Sequence, residues 1–133
     1  MCNVGDIVLI WDYITEDGKR SGGHPFIVVD NQNGQIGGID FDLVCSTMSS
    51  FDDKSEEYKR KKLSYIENLH FGLDDGNTRD GYIKADQMYM FKKSKANYRV
   101  LAKADAEFIK ELLELIEELK RLKLLKLIVT NIQ

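Results

Sequence analysis

The sequence predicts a mainly β domain, a small sandwich or barrel, completed by a C-terminal α-helix. Short β-branched and aromatic runs recur between residues 4 and 102, each bounded by turn chemistry. A strongly amphipathic stretch follows at about residues 105–121. With 133 residues, the chain is long enough for one core and too short to divide comfortably into two. A single domain is therefore expected, with an apolar tail over residues 122–133.

The first strand is the run Ile7, Val8, Leu9, Ile10, Trp11, which opens just after Gly5-Asp6. Residues 15–23 hold three glycines and a Lys-Arg pair but no apolar residue, which predicts a mobile loop of the kind that often carries function. Phe26-Ile27-Val28-Val29 is the second strand, and the glycines and asparagines of residues 30–38 predict a hairpin. Residues 41–47 give a third strand. Residues 49–62 are polar and charged and predict an excursion with room for a short helix. Residues 63–71 alternate imperfectly and suit a strand, residues 72–81 form a turn-rich loop, and residues 82–85 and 98–102 are two further strands.

In the last helix, Phe108, Ile109, Leu112, Leu113, Ile116 and Leu119 fall at helical spacing, with Ile109, Leu112, Leu113 and Ile116 expected to pack on the sheet. Asp105 and Glu107 place acidic groups at its positive end. Residues 122–132 fit a continued helix or a strand equally well, and periodicity leaves both open. Their apolar surface predicts burial against the sheet or a second subunit.

Composition excludes several classes. The chain is 43% apolar and 31% charged, near the average for soluble domains, and no window approaches the roughly 18 consecutive apolar residues of a membrane span. The N-terminus lacks the basic stretch and apolar run of a signal peptide, which predicts a cytoplasmic protein with Cys2 and Cys45 reduced. A net charge of −3 argues against a uniformly basic surface, although three local clusters can attract phosphate. They are Lys59-Arg60-Lys61-Lys62, then Lys92, Lys93 and Lys95, then Lys120, Arg121, Lys123 and Lys126; each alone reads as a solvated face. No phosphate-cradling glycine loop, dinucleotide fingerprint or zinc-ligand spacing is present, so neither cofactor nor metal is expected.

An ordered set of short motifs remains: Gly5-Asp6-Ile7-Val8, a flexible loop, His24-Pro25-Phe26-Ile27-Val28-Val29, Ser46-Thr47-Met48-Ser49, and Gly81-Tyr82-Ile83-Lys84-Ala85-Asp86-Gln87. This order and spacing, from about residue 4 to residue 101, resembles the PemK/MazF family of toxins. The resemblance implies an SH3-like barrel of the PemK/MazF/CcdB kind. It also implies a homodimer that cuts single-stranded RNA without a metal and is neutralised by an antitoxin protein.

Metal-free RNA cleavage needs a base for the ribose 2′-hydroxyl, an acid for the leaving 5′-oxygen, and donors for the phosphate. On the family pattern Asp86 is the base and Lys84 the acid or a phosphate contact. Two residues apart on a strand, they would share a face. Thr47, with Ser46 or Ser49, matches the family's hydroxyl pair. His24 stands where the family has arginine, and carries that charge only when protonated. Lys19, Arg20 or Arg79 are candidates for the missing cation. The expected site is one concavity of His24, Thr47, Lys84 and Asp86 under the loop of residues 15–23. Asp86 as a turn cap, Lys84 as a solvated charge and Thr47 as a strand end are the alternatives; His70, among apolar residues, reads as structural. An endoribonuclease and a catalytically inactive binding module of the same fold are the two functional readings, and His24 favours the second.

Overall fold

The computed structural model describes residues 2–72, 77 and 79–132. Strand β1 (Asp6–Trp11) is followed by a small hairpin, β2 (Tyr13–Ile14) and β3 (Arg20–Ser21), whose second strand lies within the loop expected at residues 15–23. Next come β4 (His24–Asp30) and a second hairpin, β5 (Gly34–Ile36) and β6 (Ile39–Phe41). Its turn is Gly37-Gly38, both at positive φ, the backbone that a two-residue hairpin loop matched to strand twist requires. Strand β7 (Leu43–Ser50) leads to helix α1 (Glu56–Leu63), then β8 (Asn68–Phe71), β9 (Gly81–Lys84), β10 (Gln87–Phe91) and β11 (Asn97–Lys103). Helix α2 (Ala106–Arg121) and β12 (Lys126–Val129) complete the chain.

The main sheet has eight strands, in the order β11-β1-β4-β7-β10-β12, with β9 on the second half of β7 and β8 on β9. All of its pairs are antiparallel except β10 with β12. Long β7 thus forks, pairing with β10 through residues 43–45 and with β9 through residues 48–50. Among the described residues no sheet closes on itself. The fold is mainly β, with a large antiparallel sheet and two helices.

Both faces of the sheet are buried, because alternate residues of each strand feed different cores. Ile27, Val29, Val44, Met48, Ile83 and Met90 pack beneath α2, against Phe108, Leu112, Ile116 and Leu119. On the other face Val8, Ile10, Phe26, Val28, Leu43, Cys45, Tyr89, Phe91 and Ile128 converge with Tyr13 and Cys2. Tyr13, Phe26, Tyr89 and Phe91 meet there largely edge to face.

The amphipathic helix lies where the spacing predicts, but rotated slightly from expectation. Phe108, Leu112, Ile116 and Leu119 are its buried residues, while Ile109 and Leu113 are half-buried. Ile109 settles over Gly5: a Cβ there would lie 2.2 Å from Ile109 Cδ1, so the Gly-Asp that opens β1 is also the seat of α2. Asp105 is the N-cap residue, and makes no side-chain capping bond.

One open alternative is decided, one expectation is met and two are revised. The tail is resolved as a strand: after Lys123 takes positive φ, β12 runs parallel to β10, so α2 is a crossover rather than the last element. Residues 87–91, assigned no structure from sequence, form β10 in the middle of the sheet. The charged excursion contains α1, capped by Ser55 Oγ, which accepts from Tyr58 N at 3.1 Å. Of residues 63–71 only the last four form a strand. Residues 73–76 and 78 of the loop expected at residues 72–81 lie outside the described residues. No helix among the described residues is long and apolar enough to cross a membrane. Cys2 and Cys45 are free and buried.

Candidate functional site

Sheet register brings four of the sequence-derived residues to one face. Phe26 of β4 lies opposite Thr47 of β7, and Ser49 of β7 lies opposite Tyr82 of β9. Directly opposed residues of an antiparallel pair point the same way, and strand alternation repeats that direction every second residue. His24, two before Phe26, and Lys84, two after Tyr82, therefore share the face of Thr47 and Ser49. With strands about 4.8 Å apart, Thr47 stands between His24 and Lys84.

The His24 ring is half-buried and meets Phe26 edge to face, with centroids 5.8 Å apart. Burial first, and the Lys84 charge second, push its pKa below the ordinary value of 6.5; a hydrogen bond with the Met48 carbonyl partly opposes them. At neutral pH the imidazole is therefore uncharged. A neutral imidazole that donates one ring N–H to Met48 keeps its other nitrogen as an acceptor.

Thr47 is buried, and its hydroxyl oxygen has no hydrogen-bond partner among the described residues. Such a group costs about 1–3 kcal/mol unless something supplies the bond. Ser46 is also buried and without a partner among the described residues, but it opposes Ile27 and so points to the α2 side, away from His24. Ser49 stays on the site face, where its hydroxyl interacts with Tyr82. The Tyr82 phenol is pushed up to about 12, chiefly by burial and then by Tyr58 of α1. Sequence reasoning gave neither tyrosine a role: Tyr82 stood inside the Gly81–Gln87 motif only as a strand residue, and Tyr58 belongs to no motif.

Asp86 is placed differently from expectation. Strand β9 ends at Lys84, and Ala85-Asp86 form the tight turn into β10, so strand alternation does not carry from Lys84 to Asp86. Its carboxylate lies 4.0 Å from Lys126 Nζ, and its carbonyl accepts from Lys126 N at 2.7 Å. Burial raises its pKa; Lys126 opposes this, while Glu67 and Glu16 add to it. Glu16 comes from the loop expected to roof the site, and takes a hydrogen bond from Gln87 Nε2 at 2.9 Å. That loop thus closes over the Asp86 turn and β12.

The candidate cations are scattered. Arg20 pairs across its hairpin with Asp12 at 2.5 Å, both exposed. Lys19 is exposed, and its carbonyl accepts from Thr15 N at 2.7 Å. Arg79 is exposed and lies 3.5 Å from Asp52; it lines a cleft of about 410 Å³ with Pro25, Ser49 and Ser50. His70 is exposed rather than sequestered: Leu69 and Phe71 take the core side of β8 and turn the imidazole outward. Among the described residues no set of three or more His, Cys, Asp or Glu side chains is grouped to hold a metal ion.

No protein-family model matches the chain, and a search of curated proteins returns no match.

Proposed function

We propose that this protein is a metal-independent endoribonuclease acting on single-stranded RNA, a cytoplasmic homodimeric toxin of the PemK/MazF kind with an SH3-like barrel, held in check by an antitoxin protein. The observation that supports the chemistry is the row His24, Thr47 and Lys84 on one face of three adjacent strands, with the Thr47 hydroxyl lacking a partner among the described residues. Uncharged His24 accepts the proton of a ribose 2′-hydroxyl as its oxygen attacks the adjacent phosphorus. Thr47 donates to a phosphate oxygen, and the Lys84 ammonium offsets the growing charge and protonates the departing 5′-oxygen. The P–O5′ bond breaks, leaving a 2′,3′-cyclic phosphate and a 5′-hydroxyl. Asp86, engaged with Lys126, holds the β9–β10 turn that carries Lys84.

The test is incubation of purified protein with single-stranded RNA in chelator, together with induced expression in a growing bacterium. Cleavage with those product ends, and growth arrest, are expected. Intact RNA from pH 6 to 8 with normal growth refutes the enzyme reading. Such a result favours an inactive binding module, for which the observation is His24 itself, an uncharged ring where the resembling family carries a permanent cation. Light scattering at micromolar concentration tests the dimer, and a single-chain mass contradicts it. A genuine dimer interface buries at least about 1,000 Å².

A further inference from the structure

The chain has two histidines, and the chemistry above uses one. The other is held as a functional imidazole is held. His70 Nε2 lies 2.5 Å from Asp80 Oδ1, and its ring stacks on Phe51 at 6.5 Å between centroids with 19° between planes. Position and rotation are fixed from two directions although the side chain is half exposed to solvent. With Nε2 committed to Asp80, Nδ1 is left for a ligand.

That ring forms one wall of a cleft of about 500 Å³ between α1 and the β8–β9 edge, which Lys59, Arg60 and Ser64 also line. Lys59 is shared with Glu56 at 3.3 Å, whereas Arg60 forms no ion pair among the described residues. Asp80 is likewise engaged, by His70. What the cleft offers a ligand is therefore the fork of Arg60, the ammonium of Lys59 and Nδ1 of an oriented imidazole, while the Ser64 hydroxyl is spent on the Lys61 carbonyl at 2.6 Å. A guanidinium fork matches two oxygens of one tetrahedral anion. Phosphate suits the imidazole in either protonation state, since its oxygens accept from Nδ1–H and a P–OH donates to bare Nδ1.

We infer that His70, Arg60 and Lys59 form a phosphate-binding site, oriented by Asp80, for a phosphomonoester or a backbone phosphate of nucleic acid. It is distinct from the His24 row: Tyr82, opposite His70 on one side and Ser49 on the other, stands between them, and the inference stands whether or not the chain cleaves RNA.

Because the chain has two imidazoles, ring NMR resolves the site directly, with His24 as internal reference and His70→Gln assigning the signal. Inorganic phosphate should move the His70 resonances saturably, with a dissociation constant on the order of 1 mM, corresponding to about −4 kcal/mol. Chloride at equal ionic strength should not. Arg60→Ala, on the exposed face of α1, should weaken phosphate at least tenfold; Arg60→Lys, which keeps charge but not the fork, should lie between. A shift reproduced by chloride, or undiminished in Arg60→Ala, overturns the site. A 5′-phosphorylated oligoribonucleotide binding more tightly than phosphate would assign the group to a nucleic-acid strand. Equal affinity would assign it to a free phosphate or small monoester.

Discussion

Thr47→Val separates stability from function in a single substitution. Valine has nearly the shape of threonine, so the close packing beside Phe26 should survive, and what is lost is one buried hydroxyl with no hydrogen-bond partner. An unsatisfied buried polar group costs about 1–3 kcal/mol, and replacing it with an isosteric apolar group recovers part of that. A gain of about 1 kcal/mol is expected, which for a domain of this size raises Tm by about 3–5 °C. The same change removes the donor proposed to meet the phosphate, and loss of one such donor lowers kcat by about 10²–10³. Thermal unfolding followed by circular dichroism, and single-turnover cleavage of a labelled RNA, read the two effects separately. A variant that melts below the parent, or that cleaves as well, refutes this role for the Thr47 hydroxyl.

Leu112→Ala deletes a side chain 1% exposed in the core under α2 and should cost about 2–5 kcal/mol; an unchanged urea midpoint contradicts that packing. His24 also links stability to pH. Its folded pKa lies below 6.5, so the unfolded chain binds its proton first, and the stability it contributes is full above about 6.5 and lost as pH falls through the folded value. Melting temperatures from pH 8 to 5 should show this loss, and His24→Gln should reduce it; identical profiles refute the burial argument. His24→Arg restores the residue of the resembling family but removes the acceptor nitrogen, so activity at pH 8 should fall by about 10²–10⁴. A rise instead means that His24 stands in for a phosphate-binding cation.

Legibility in the sequence followed periodicity. Helix α2 announced itself because its apolar residues recur at helical spacing, while β1 and β4 read as apolar runs bounded by glycine and turn residues. Strand β10 did not, since Met88 and Met90 enter one core while Tyr89 and Phe91 enter the other, and a strand buried on both faces shows no alternation. Leu122 to Val129 (Leu-Lys-Leu-Leu-Lys-Leu-Ile-Val) fits both periods, and parallel pairing with β10 decides it. Helix α1 buries no residue, so no hydrophobic pattern marks it. For the site, motif order placed His24, Thr47 and Lys84 on neighbouring strands, while Lys-Ala-Asp-Gln left a shared strand face and a turn at Asp86 both open, and the structure takes the turn. The outward turn of His70 was written in the Leu69-His70-Phe71 alternation; its partner Asp80 is distant enough in sequence that only the fold joins them.

The most direct test of the nuclease proposal is the fate of a 5′-labelled single-stranded RNA incubated with purified protein and chelator at pH 7, alongside the Lys84→Ala variant. Cleavage by the parent to fragments ending in 2′,3′-cyclic phosphate, slowed by about 10²-fold or more in Lys84→Ala, is the predicted result. RNA left intact by the parent, or cut equally by both proteins, contradicts it.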